Sequence, residues 1–343
     1  MDDRKELPTG EGRIAVHSPL TSARPASDAP ALKRFEDVAS VLMMPGGLLD
    51  RAEETLERSL ATDPKNTAAL RRLAIIRRCK GDLPGALQTY GRLVELQPDD
   101  VQALYLHAVL NSEEAPEVVS PGAAPFVRIE QFLTPAEHDV VLETAHQQQS
   151  RLKISKIGGG DAQYDPEWRS SLVLCKKLDE LIPWFLPRVK KALADVLPRL
   201  QVAPFAVGKV ELQMTVHRSR GFYKIHQDIG KEQNRGRRVS YVYYFHRLPK
   251  RFTGGDLLLY DTNVGDGTYA AAFTRIEALD NSIVFFPSAY CHQVTTVQCV
   301  TDDFGDSRFT LNGWFNSLDS LETEGVAAAP DVVFQDAGGP QRD

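Results

Sequence analysis

The feature that most constrains the fold is a change of pattern at Val207. Beyond it, short runs rich in β-branched and aromatic residues recur between turn residues, at 210–217, 239–245, 256–260, 270–278, 282–286, 292–297 and 309–315. Seven or eight short strands after a helical lead-in predict an antiparallel double-stranded β-helix, a jelly-roll, cupin-like barrel. The lead-in is itself legible. Residues 126–132 read as a strand. Thr134-Pro-Ala-Glu137 is a capping box with Pro at the first helical position, so a helix is expected to run to about Gln149. Residues 151–170, with Gly158-Gly-Gly160 and several charges, read as a mobile loop, and 178–197 as a second helix.

The N-terminal part has a different order. Residues 33–112 are helical in pattern and repeat with a period of 34. Gly47 maps to Gly81, Ala52 to Ala86, Leu56 to Tyr90 and Pro64 to Pro98. In each copy a Gly ends one helix, a small Ala permits close helix contact, and a Pro closes the next helix. Residues 99–112 supply one more amphipathic helix as a cap. The class is therefore α+β: a disordered arm (1–32), helical repeats (33–112), a Pro-rich linker (113–125), a barrel domain (126–317) and a flexible tail (318–343).

Composition removes several classes. The 343 residues are 42% apolar and 25% charged, as in ordinary soluble proteins, and the net charge of -6 gives no reason to expect nucleic acid. Cys79, Cys175, Cys291 and Cys299 form no Cys-x-x-Cys pair, which fits reduced thiols and a cytoplasmic setting. The first residues contain no apolar signal region, and no run approaches the ~18 apolar residues of a membrane span.

His226 and Asp228 stand two residues apart in a strand-like run, where i and i+2 share a face. An imidazole and a carboxylate side by side are two-thirds of a 2-His-1-carboxylate set, which holds non-haem iron and leaves positions open. Taken alone, such a pair arises by chance in a chain with 8 His and 46 acidic residues. His292 follows an apolar strand and a Pro-Ser turn; by itself it equally suits a strand-end hydrogen bond. Arg308 begins the last alternating strand, where an inward guanidinium needs an anion and an outward one a surface ion pair.

In their order these features are more specific than any one. His226-x-Asp228, Gly254-Gly-Asp-Leu-Leu-Leu-Tyr260, Phe-Phe-Pro-Ser before His292, and Arg308 before Trp314 resemble the Fe(II)- and 2-oxoglutarate-dependent dioxygenases, nearest the prolyl 4-hydroxylase-like group. The resemblance spans about 126–317 and includes Arg-Val-Ser-Tyr-Val-Tyr-Tyr at 238–244. It implies Fe(II) on His226, Asp228 and His292, and 2-oxoglutarate with its distal carboxylate on Arg308. It further implies O2 as co-substrate, succinate and CO2 as products, and ascorbate as an accessory reductant. The family often places Tyr nine residues before the first ligand and again in a Tyr-Leu-Asn strand. His217 and Tyr244 stand at those places here and are expected in the co-substrate pocket. The 16-residue gap from His292 to Arg308 is longer than usual and implies an extended turn.

The 34-residue period resembles the tetratricopeptide repeat, whose unit is helix–turn–helix. Its concave face, with Arg71, Ile75, Arg78 and Tyr105, is expected either to bind an acidic peptide substrate or to brace the barrel. The implied reaction is hydroxylation of an aliphatic C–H, on a peptidyl residue with Pro first. A free amino acid or natural-product scaffold is the alternative substrate. A non-catalytic adaptor with a degenerate barrel is the reading from another class.

Overall fold

The computed structural model describes residues 46–111, 115–120, 122–157, 164–176, 178–230 and 234–318. The N-terminal arm, the start of the first repeat, Gly158–Gly160 and the tail beyond Leu318 lie outside them.

Among the described residues, four helices precede the strands: α1 (Leu48–Thr62), α2 (Thr67–Lys80), α3 (Leu83–Leu96) and α4 (Val101–Leu110). Local chemistry sets their ends. Asn66, Asp82 and Asp100 accept hydrogen bonds from the backbone N–H groups of Ala69, Gly85 and Ala103. Gly81 closes α2 in the left-handed region at φ 84°. Ala86 and Tyr90 of the repeat pattern are buried between these helices, together with Leu70, Leu73 and Ala74.

The second part is antiparallel β with two helices. Its elements in order are β1 (Val127–Glu130), α5 (Pro135–Gln147), β2 (Lys153–Ile154), β3 (Arg169–Ser170), β4 (Leu172–Leu174), α6 (Ile182–Arg199), β5 (Val207–Val210), β6 (Gln213–His217), β7 (Phe222–His226) and β8 (Arg237–Phe245). Then come β9 (Phe252–Thr253), β10 (Leu257–Thr262), β11 (Tyr269–Ile276), β12 (Ser282–Pro287), β13 (His292–Val294), β14 (Gln298–Cys299) and β15 (Arg308–Ser317). The major sheet runs β1-β12-β8-β15-β6-β4-β2, with β5 also on β15; the minor sheet runs β11-β10-β13-β7-β3.

Period-2 alternation sorts the major sheet. Val239, Tyr241, Tyr243 and Phe245 of β8, with Ile283, Phe285, Phe309, Leu311, Met214 and Val216 from its neighbours, pack in one core with Val141 and Ala145 of α5 and Phe185 and Val189 of α6. The residues between them take the other face: Ser240 and Tyr244 on β8, Thr215 and His217 on β6, Arg308 and Thr310 on β15, all buried. The helices thus cover one face, and the other, where these polar groups stand beside Val284 and Phe286, turns to the minor sheet.

Three expectations change. The capping box forms, with Thr134 and Glu137 bonding reciprocally, but α6 starts four residues later than expected, because Pro183 is best accommodated in a first turn. The segment read as a mobile loop contains β2 at one end and β3 at the other. The segment read as a linker buries Ala123 and Ala124 almost completely.

The face expected to be a basic groove is partly closed. Arg78 is fully buried: its Nη2 donates to both Asp261 oxygens at 2.8 and 2.9 Å, and its Nε to Thr274 Oγ1 at 3.0 Å. Cys79 Sγ donates to the Phe273 carbonyl, and Arg275 to the Lys80 carbonyl. Tyr105 is 2% exposed. Arg78 and Tyr105 therefore do not line an open groove. A short array must cover an apolar flank, and α2 does so against β11. Arg71 stays half-exposed, paired with Asp100, the N-cap of α4.

These two pairs make a prediction. Asp261→Ala strands a buried cation and should cost about 3–5 kcal/mol, whereas Arg71→Ala, at a wet pair, should cost under about 1 kcal/mol. Urea unfolding at pH 7 reads both; equal losses would show that the interface arginine is no more important than a surface one.

Candidate metal and co-substrate site

β7 and β13 are neighbours in the minor sheet with His226 opposite His292. Asp228 lies two residues past the end of β7, in a bend and not on the strand as expected, with its N–H held by the Ser288 carbonyl at 3.1 Å. His226 Nε2 is 3.9 Å from Asp228 Oδ1, and His292 Nε2 is 3.5 Å from Asp228 Oδ2. One donor atom from each of the three lies within 4.8 Å of the others.

The protonation states suit a cation. His226 Nδ1 is 2.7 Å from the Lys224 carbonyl, and His292 Nδ1 is 3.0 Å from the Tyr290 carbonyl. A carbonyl only accepts, so each Nδ1 carries a proton, and in the neutral ring that tautomer leaves the Nε2 lone pair for a metal. Burial, and then His292 beside it, push the His226 pKa down to about 3. Burial works to raise the Asp228 carboxyl, but His292, His226 and the Ser240 hydroxyl outweigh it and hold it below its ordinary value. Two imidazole Nε2 atoms and a carboxylate fit Fe(II) as a 2-His-1-carboxylate donor set.

A second cluster stands on the major sheet, where Arg308 is paired with His217 on β6. Arg308 is 2% exposed. Its Nε donates to the Gly255 carbonyl at 2.6 Å, its Nη1 to His217 Nδ1 at 3.2 Å, and its guanidinium lies 5.0 Å from the Tyr244 ring centre. Among the described residues no carboxylate pairs with it. Because His217 Nδ1 accepts, the imidazole proton is on Nε2. That Nε2 and the Tyr244 hydroxyl are both buried without a hydrogen-bond partner. A desolvated cation beside two unused donors fits the carboxylate of a ligand. Gly255, at φ 71°, explains the glycine pair in the sequence: a Cβ there would stand 2.4 Å from Arg308 Cδ.

The structure thus brings His226, Asp228 and His292 together, and separately Arg308, His217 and Tyr244. It adds residues that the sequence reading missed. Ser240 Oγ donates to Asp228 Oδ2 at 2.7 Å. Arg237 stacks on Trp314 at 3.6 Å and donates to the Asp228 carbonyl. Tyr223 stacks on His226 with ring centres 3.5 Å apart. Ser240 was findable, as a hydroxyl at an inward position of an apolar strand. Tyr223 was not, because a register shift between β7 and β13 sets it beside a residue three positions away.

Comparison with known proteins gives the geometry a context. Residues 212–316 match the family model described as the 2OG-Fe(II) oxygenase superfamily, and residues 47–110 that of the tetratricopeptide repeat. An uncharacterized PKHD-type hydroxylase of Synechocystis sp. is 36% identical over 205 residues, which cover 59% of this chain and 66% of that relative, just short of two thirds. A Pseudomonas putida prolyl-4-hydroxylase structure aligns with TM-score 0.42 and 17% identity over 57% of this chain and 94% of its own. A Trichoplax adhaerens prolyl hydroxylase, solved with a hypoxia inducible factor peptide fragment, aligns with TM-score 0.43 and 16% identity over 58% and 87%.

Two outcomes test the geometry. Gly255→Ala should displace Arg308 and weaken 2-oxoglutarate binding by about tenfold or more, roughly 1.4 kcal/mol, with metal affinity unchanged; calorimetric titration of each ligand separates them. The second concerns pH. Burial, then Arg308 and Arg169, hold the His217 pKa far below the 6.5 of an unfolded chain. Below pH 6.5 the unfolded state binds a proton that the folded state refuses, so stability falls as pH falls, by up to about 1.4 kcal/mol per unit for this group. His217→Asn should remove about one proton from the slope of metal-free stability between pH 6.5 and 5; an unchanged slope would mean that His217 is not buried neutral.

Proposed function

We propose, for a chain whose residues 212–316 match the 2OG-Fe(II) oxygenase superfamily model, that it is an Fe(II)- and 2-oxoglutarate-dependent dioxygenase hydroxylating an aliphatic C–H. The observation that carries this is a buried guanidinium with no counter-ion among the described residues, in the same barrel as three preformed metal donors. His226 and His292 would present Nε2 and Asp228 a carboxylate oxygen to the iron. The Arg308 fork would take the distal carboxylate of 2-oxoglutarate, with the His217 N–H and the Tyr244 O–H completing its hydrogen bonds. Ser240 keeps Asp228 ionised and oriented. When bound, Fe(II) supplies O2 activation coupled to decarboxylation of 2-oxoglutarate to succinate and CO2; the protein supplies orientation and exclusion of water.

The substrate we place first is a peptidyl residue, with Pro ahead of others. The repeat segment supports this, since such repeats are commonly surfaces for protein contacts. After Arg78 and Tyr105 are lost to the barrel, a groove between α1 and α2 remains, lined by Leu48, Arg51, Leu56, Arg72, Ile75 and Ile76. Two arginines over an apolar floor suit an acidic peptide.

The test is incubation of the full chain with Fe(II), 2-oxoglutarate and Pro-containing acidic peptides. Succinate release and a product heavier by one oxygen are expected. Alanine at His226, Asp228 or His292 should weaken Fe(II) binding by at least about 100-fold, beyond the 10–100-fold typical of losing an outer-shell partner. Full turnover in His292→Ala would overturn the ligand assignment, and oxygen in a free amino acid but in no peptide would overturn the substrate class.

A further inference from the structure

We propose that the helical repeats act on the metal site: Arg78 of α2 is a positioning residue for His292, working through a hydrogen-bonded chain by way of Asp261, Ala123–Ala124 and Tyr290. This rests on the reading of His292 as a metal ligand.

The chain can be followed atom by atom. Arg78 Nη2 grips both oxygens of Asp261, and Thr274 of β11 fixes the Arg78 Nε. Asp261 Oδ1 also accepts the Ala124 N–H at 3.0 Å, which holds the extended segment before β1. One residue earlier, the Ala123 carbonyl accepts from the Tyr290 hydroxyl at 3.4 Å. The Tyr290 carbonyl accepts the Nδ1–H of His292 at 3.0 Å. A second strand of contacts runs alongside. Leu259 of β10 stands opposite His292, and the Tyr260 N–H donates to the Cys291 carbonyl at 2.9 Å. Asp261 is therefore next but one to the residue paired with His292.

The buried groups around this path come from both parts of the protein. The Tyr105 phenol of α4 is pushed up by burial, then by Tyr290 and Asp261, so it sits within their field. Asp261 thus serves a cation from the repeats and an N–H from the segment between the two parts.

The coupling is one-sided. The Nδ1–H of His226 is held by the carbonyl of Lys224, in its own strand. The imidazole of His292 depends on a carbonyl whose residue is tethered to the repeats. An outer hydrogen bond of this kind fixes both the tautomer and the ring orientation of a metal-binding histidine, and losing such a partner commonly costs 10–100-fold in metal affinity. A mere brace behaves differently: any repeat substitution of equal thermal cost would then have an equal effect on the site.

The experiment titrates the metal-free full chain with Co(II), reading affinity and the visible absorption spectrum. Tyr290→Phe removes only the hydroxyl, and Arg78→Lys keeps the charge but loses the fork. Both should weaken Co(II) binding by about tenfold and alter the spectrum. Leu60→Ala, in α1 away from this path, should lower the melting temperature and leave both readouts at wild-type values. His292→Ala is the reference. If it binds Co(II) like wild type, the ligand assignment fails. If it loses binding while Tyr290→Phe and Arg78→Lys bind normally with an unchanged spectrum, the positioning role is overturned and the ligand assignment stands. If Leu60→Ala weakens binding as much as the other two, the repeats are only a brace. Should Arg78→Lys not fold, Tyr290→Phe decides alone.

Discussion

Arg308 is a charged fork held out of water by a backbone carbonyl, a neutral imidazole and a phenol ring, none of which is an anion. Taking such a group out of water costs several kcal/mol unless an opposite charge offsets it. Burial accordingly lowers its pKa, although Tyr244 and Asp256 act the other way. Asp256 acts on it through its field, but the Asp256 carboxylate is committed to Arg275 at 2.7 Å. The barrel interior is arranged around this unmet charge. His217 is forced to be neutral with its proton on Nε2, and Gly255 gives up a side chain so that Arg308 can lie against its backbone. A carboxylate from solution is the partner that the arrangement lacks.

The metal donors follow a different logic, because each is held by local backbone. His226 is fixed by Lys224 two residues before it, and His292 by Tyr290 two residues before it. The same i to i−2 contact on two adjacent strands aims both Nε2 atoms at one carboxylate. Ser240 then crosses from the major sheet to fix that carboxylate, which ties the two clusters to one geometry.

Much of this was legible. The strands after Val207 follow from β-rich runs between turns, and the grouping of the six candidate residues from the resemblance that their order carries. Alternation in 239–245 even assigns the two faces of β8, since the apolar odd positions must meet helices. What sequence could not give is contact between distant segments. Asp228 leaves its strand before it reaches the site. Arg78 reads as a groove residue because its position in a helical repeat is open by default; only Asp261, far along the chain, closes it. Ala123 and Ala124 read as linker because prolines surround them, yet they are among the most buried residues in the chain. In each case local propensity was right about conformation and silent about neighbours.

The burial of Arg78 bears on why the two parts share one chain. A stack this short exposes an apolar flank that must be covered, and a hydrophobic contact alone would do it. The interface has that apolar contact, since Tyr105, Leu106 and Val109 of the repeats pack in one cluster with Leu257, Leu259 and Ile276, and to it adds a buried ion pair, which is often no more stabilising than apolar packing of the same volume. What an ion pair adds is register: the fork fits Asp261 in one position, and a slip of one helical turn would strand both charges. The repeats therefore meet β10 and β11 in a single alignment. β10 is hydrogen-bonded to β13, the strand that starts with His292. An alignment specified at α2 is thus carried through one intervening strand to a metal donor, and a looser apolar contact would not carry it.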